Sequence, residues 1–166
     1  MCSKAFTLLE TLVAITILSV GIMASYAAIT KVVSWTYLNS FRFTASRLAQ
    51  EGMELVSNTR DTNWLNGNDW DSRLINCASG CEIDYTYDYN DGNFSPYTDP
   101  GRYLQIDSDG FYNYGDGDDS RFKRKIIITP VGVGTNELKV KVEVTWSRLG
   151  SETGVLEVEE HLYNWR

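Results

Sequence analysis

The chain has 166 residues, enough for one domain or one domain with an appendage, since compact domains usually run to roughly 100–150 residues. A hydrophobic share of 43% and an aromatic share of 13% exclude a disordered chain, which lacks the apolar surface needed to offset chain entropy. The net charge of -7 argues against a nucleic-acid binder, and the single histidine, His161, argues against a His-rich metal site.

Mean hydropathy (-0.27) and a pI near 4.7 suggest an acidic soluble protein, but the averages hide three zones. Residues 1–60 hold five basic and three acidic groups. Residues 61–119 hold all twelve Asp plus Glu82, against only Arg73 and Arg102. Residues 120–166 hold eight basic and six acidic groups. The excess negative charge belongs to the middle zone alone.

From Phe6 to Val33 the only acid is Glu10, and no base occurs before Lys31. With its flanks this run reaches the roughly 20 apolar residues that a bilayer-spanning helix needs. It is apolar on every face and longer than the core of a secretory signal peptide. Lys4, just before it, favours a cytoplasmic N-terminus. Between Tyr37 and Ser57 the apolar positions Leu38, Phe41, Ala45, Leu48, Ala49, Gly52, Leu55 and Val56 recur at helical spacing. No proline precedes Pro96, so one helix from about Phe6 to Asn58 is expected, roughly 80 Å long at 1.5 Å per residue. Such a helix is too long to be buried in a globule of this size, so half of it must meet lipid or other chains. Glu10 is costly within an apolar span and therefore a functional candidate. Placement at the cytoplasmic interface, with the carboxylate reaching water, is the plainer alternative.

The run Ala5-Phe6-Thr7-Leu8-Leu9-Glu10, with Thr11-Leu12-Val13-Ala14-Ile15 and Ile17-Leu18-Ser19-Val20-Gly21-Ile22, resembles the N-terminal signature of type IV pilins and pseudopilins. The runs Leu48-Ala49-Gln50-Glu51-Gly52-Met53-Glu54-Leu55-Val56 and Arg60-Asp61-Thr62-Asn63-Trp64-Leu65 look most like PilV-like minor pilins. The resemblance implies cleavage between Ala5 and Phe6 by a prepilin peptidase, N-methylation of Phe6, and an assembly role for Glu10. Ala5 stands where the family prefers Gly, and the proline common in the membrane helix of major pilins is absent. The implied fold is α+β, a pilin fold in which a long N-terminal helix, half transmembrane, packs on a C-terminal antiparallel β-sheet.

The expected organisation is a leader at 1–5 and a transmembrane or filament-core helix at 6–33. The amphipathic half of the same helix follows at 34–60, an Asp/Tyr-rich loop region with a short hairpin at 61–121, and the antiparallel sheet at 122–166. The implied partners are other pilin subunits, prepilin peptidase, an inner-membrane assembly platform, and membrane lipid before assembly. The implied location is the cytoplasmic membrane, N-terminus inside, and then an extracellular filament with a part in adhesion or secretion. A major pilin or a type II secretion pseudopilin would share the fold. A single-pass membrane-anchored binding module that never polymerises is the alternative from another class. No enzymatic activity and no cofactor are assigned.

In the middle zone, Asn66-Gly67-Asn68-Asp69, Asn90-Asp91-Gly92-Asn93 and Asp107-Ser108-Asp109-Gly110 carry turn chemistry, the last joining Tyr103–Ile106 to Phe111–Tyr114 as a hairpin. Removal of the leader takes Cys2 with it, which leaves Cys77 and Cys81 to form a local disulfide in an oxidising compartment. Asp107, Asp109, Asp116, Asp118 and Asp119 read first as solvated turns and second as calcium ligands, although none fits an EF-hand loop. Tyr85, Tyr87, Tyr89, Tyr97, Tyr103, Tyr112 and Tyr114 read first as rings packed on helix and sheet and second as a contact surface.

In the last zone, Leu138, Val140, Val142, Val144 and Trp146 alternate with polar residues, marking a strand with one buried face. Phe122–Thr129 and Leu156–Tyr163 flank it, with turns at 132–136 and 149–154. Arg121, Lys123, Arg124 and Lys125 form the densest basic run, but neighbouring acids weaken it as a DNA site. His161 lacks the nucleophile motif that a catalytic triad would need.

Overall fold

The computed structural model describes residues 7–89, 94–132, 136–148 and 151–164. The chain divides into two compact units, one ending at Phe41 and the other beginning at Arg42. A single helix, α1 (Leu8–Leu65), crosses that boundary. It outlasts the expected Asn58 by seven residues because nothing stops it earlier. The stop is Gly67, at φ 72°, where Asn68 N–H bonds the Asn63 carbonyl and Gly67 N–H bonds the Trp64 carbonyl. This is the glycine-terminated helix end in which a left-handed residue satisfies the last carbonyls.

Up to Phe41 the apolar side chains of α1 are largely exposed: Leu18 is 65% exposed and Ile22 61%. From Ala45 the helix buries a stripe of Ala45, Leu48, Ala49, Gly52, Met53, Val56, Thr59 and Asn63. Their three- and four-residue spacing keeps them on one face. The stripe differs from expectation at Leu55, which is half-buried, and at Met53, which takes a core position.

This face packs on a five-stranded antiparallel sheet of order β2-β1-β6-β7-β8. The strands are β1 (Cys81–Glu82), β2 (Ser95–Pro96), β6 (Phe122–Pro130), β7 (Glu137–Arg148) and β8 (Ser151–Tyr163). Phe122, Arg124, Ile126 and Ile128 stand opposite Trp146, Val144, Val142 and Val140, so one face of the β6–β7 pair is nearly dry. Each fully buried aliphatic side chain stabilises by about 1.5–3 kcal/mol. Gly52 lets the helix approach closely, since a Cβ there would lie 3.2 Å from Val142 and 3.4 Å from Ile126. The long helix packed on antiparallel sheet makes the protein α+β, an arrangement consistent with the pilin fold.

The sheet differs from the sequence reading at its far edge. β8 already begins at Ser151, so residues 151–154 belong to the strand and not to the turn. Gly154 faces Trp146 across the ladder, where a Cβ would run into the indole ring. A second, three-stranded sheet has order β4-β3-β5, with β3 (Gln105–Ile106), β4 (Tyr112–Asn113) and β5 (Asp118–Asp119). The hairpin expected there is β3–β4. The strand β5 on its other side was not foreseen.

Candidate functional site

The first turn of α1 is organised by its own sequence. Thr7 Oγ1 accepts the Glu10 N–H at 3.3 Å, and the Thr7 carbonyl accepts the N–H groups of Glu10 (3.1 Å) and Thr11 (3.2 Å). Thr7 therefore caps the helix and places Glu10 at its third residue, where a carboxylate complements the positive end of the helix dipole. The Thr-x-x-Glu spacing is a readable start signal that a search for membrane spans passes over. Glu10 itself is exposed. Ala5 and Phe6, the expected cleavage pair, lie outside the described residues, as do Cys2 and Lys4.

Beyond Glu10 the helix carries hydroxyls but no acid or base until Lys31. Thr11, Thr16, Ser19, Ser25, Thr30, Ser34 and Thr36 each donate to a backbone carbonyl one turn back, at 2.7–3.0 Å. None of these hydroxyls needs water as a partner, which is what a helix surrounded by lipid or by other apolar helices requires. An eighteen-residue window here has a mean hydropathy of 2.2 and no buried residue, so the helix is long and apolar enough to cross a membrane. Such a surface supplies contact area and one carboxylate.

In the unit beginning at Arg42, Cys77 and Cys81 form a disulfide with a Cα–Cα separation of 5.3 Å. Both are buried. The bond ties the 3-10 turn Ile75–Cys77 to β1, whose Cys81 pairs with Ile126 on one side and Pro96 on the other. The bridge thus adds a covalent tie to a two-residue strand already paired on both sides.

The basic run does not form a patch, because strand alternation divides it. Arg124 is wholly buried and donates to the carbonyls of Leu48 (2.9 Å) and Ile83, with Glu51 at 3.2 Å. Lys123 lies over the Tyr103 ring at 4.6 Å and Lys125 over Tyr97 at 4.7 Å. Arg102 over Tyr114 and Arg73 over Tyr89 repeat the pattern, so tyrosines of the middle zone serve as platforms for cations. Ring burial is uneven: Tyr85 remains 48% exposed, whereas burial raises the Tyr114 phenol well above its ordinary pKa.

The acids are similarly occupied. Glu82 is buried and accepts from Arg102 Nε at 2.6 Å and Arg102 N–H at 3.0 Å. Asp84 accepts from Thr86 and from Tyr114 N–H. With Tyr87 and Tyr114 these groups line a polar cleft of about 410 Å³. Asp107 takes the N–H groups of Asp109 and Phe111 at 2.9 Å and the Tyr85 hydroxyl at 2.7 Å. That hydroxyl bond holds the Asp107 carboxyl below its ordinary range and pushes the Tyr85 phenol up to about 12. Asp118 and Asp119 are instead strand residues of β5. Among the described residues, no three His, Cys, Asp or Glu side chains group as a metal ion would require. His161 pairs with Glu137 across the β7–β8 ladder at 2.6 Å.

Asn63 was missed by sequence reasoning. Fully buried in the last turns of α1, it donates to the carbonyls of Trp70 (3.0 Å) and Ser72 (2.8 Å) and accepts from the Tyr89 hydroxyl (2.8 Å). One amide thereby fixes the first loop of the middle zone to the helix.

No curated protein and no solved structure matches the chain. Residues 1–26 match the family model of the prokaryotic N-terminal methylation motif. The start of the exposed apolar helix thus carries the type IV prepilin signature.

Proposed function

We propose that the protein is a type IV pilin-like structural subunit, held in the cytoplasmic membrane by α1 and assembled through that helix into an extracellular filament. Prepilin peptidase hydrolyses the Ala5–Phe6 bond, leaving a carboxylate on Ala5 and an amine on Phe6 that is then methylated. The observation that carries this reading is the methylation motif over residues 1–26, continuous with a helix whose apolar side chains are exposed and whose serine and threonine hydroxyls are self-satisfied. The runs 48–56 and 60–65 favour a PilV-like minor pilin over a major pilin or a pseudopilin.

In the filament the Phe6 amine of one subunit pairs with Glu10 of its neighbour. An unpaired charge in such an apolar core would cost several kcal/mol, so the pair sets subunit stagger as well as affinity. Methylation keeps the positive charge, so the pair survives it. Glu10→Gln expressed in the native cells should reach the membrane at normal levels yet fail to enter filaments. Incorporation equal to the unsubstituted chain would overturn the role of Glu10. Cells in which the protein never leaves the membrane would favour a non-polymerising anchored module.

A further inference from the structure

The apolar stretch of α1 is bracketed by two charges, Glu10 and Lys31, both exposed. They are 21 residues apart in one uninterrupted helix. At about 1.5 Å per residue that is about 32 Å, against a hydrocarbon thickness of about 30 Å, and an average tilt of about 20° removes the remainder. We infer that Glu10 and Lys31 mark the two boundaries of the lipid-embedded segment, so that Glu10 stays at the aqueous interface while the subunit is stored in the bilayer. This rests on the membrane-inserted reading above and adds the depth at which the helix sits.

Three further observations fix the same register. The first backbone N–H groups of a helix have no partner within it, and one that starts at Leu8 cannot leave them in hydrocarbon. Among the described residues the one side-chain cap of this turn is Thr7 on the Glu10 N–H, so the first turn belongs among water and headgroups. At the other end, Trp35 and Tyr37 are 66% and 55% exposed. They lie about 6 and 9 Å beyond Lys31 along the helix axis, the level at which interfacial aromatics collect. Between the charges the serine and threonine hydroxyls are satisfied by the backbone.

Sliding the helix outward by one turn would draw Glu10 and the first-turn N–H groups into lipid. It would also lift Ile29, which is 61% exposed, past the boundary and towards water. Both changes are unfavourable, so the register is defined from either end. The consequence concerns timing. In storage Glu10 carries no burial cost. The cost arises on extraction, when a partner amine must already be in place.

Spin labels on cysteines at Leu9, Gly21 and Thr30 test this in the full chain with Cys2→Ala, reconstituted in phosphatidylcholine–phosphatidylglycerol vesicles. Gly21 is open, with nothing within 4 Å of a Cβ, so a label there should be tolerated. Labels at Leu9→Cys and Thr30→Cys should collide with a water-soluble paramagnetic chelate severalfold more often than one at Gly21→Cys, which should prefer oxygen. A Leu9 label as shielded as the Gly21 label, in vesicles that carry the protein, would overturn the inferred depth and leave membrane insertion standing. Failure of the protein to float with the vesicles would remove the membrane reading and the inference with it.

Discussion

Leu18 and Leu48 are the same residue on the same helix, yet one is 65% exposed and the other 2% exposed. The difference lies in what surrounds each. Around Leu18 the helix has only itself, and its hydroxyls fold back on its own carbonyls. Leu48 lies on the face that meets the sheet: Arg124 donates to its carbonyl, and one turn on, at Gly52, a Cβ would lie only 3.2–3.4 Å from Val142, the stem of Arg124 and Ile126. The first half of α1 presents apolar surface for an environment of lipid or other subunits. The second half has already found its environment within the chain. Stability and the proposed assembly therefore draw on different stretches of one element, and substitutions should separate them.

The largest separation is expected at Arg124. Arg124→Ala leaves the Leu48 and Ile83 carbonyls without their donor and Glu51 without its counter-charge, which should cost about 3–5 kcal/mol in denaturant unfolding of the detergent-solubilised chain. Membrane flotation should be unchanged. The paired leucines give the next effect: Leu48→Ala should lose about 2–5 kcal/mol, while Leu18→Ala should alter unfolding by less than about 0.5 kcal/mol. Equal losses at the two sites would break the distinction drawn between the halves.

Gly52→Leu tests the helix–sheet approach, since the added side chain meets Val142 and Ile126 directly, and should destabilise by about 1–3 kcal/mol. The smallest effect is electrostatic. Tyr85, raised to about 12, favours folding below the ordinary phenol value of 10.0 and loses that contribution as pH rises through about 12. Asp107, lowered from 3.8, contributes above that value and loses the contribution as pH falls through its folded-state pKa. Tyrosinate absorbance should show late-titrating groups, Tyr85 and the buried Tyr114 among them, and Asp107→Asn should return only the Tyr85 step toward 10.0.

The two halves were also unequally legible in sequence. The apolar run, the helical spacing from Ala45 onward and the alternation of Leu138–Trp146 each repeat a simple period, so helix and strand could be assigned from pattern alone. Gly67, which ends α1, was present within a run already marked as turn chemistry, but the helix stop it supplies was not read from it. Arg124 looked like one of four surface cations because a charge count ignores strand alternation, which places Lys123 and Lys125 on one face and Arg124 on the other. Asn63 gave no signal, since its partners Trp70, Ser72 and Tyr89 come from irregular loops whose path no periodicity encodes. The Asp and Tyr residues of the middle zone showed their chemistry but not their pairing. Glu10 was singled out by its isolation, whereas its capping partner Thr7 was overlooked.

Processing at Ala5–Phe6 is the step on which the whole account depends, because it creates the amine that Glu10 is proposed to meet. Intact-mass and N-terminal analysis of the protein isolated from its native cells tests it most directly. The account predicts a mature chain that begins at N-methylated Phe6 and retains the Cys77–Cys81 disulfide. A mature chain that still begins at Met1 would contradict it.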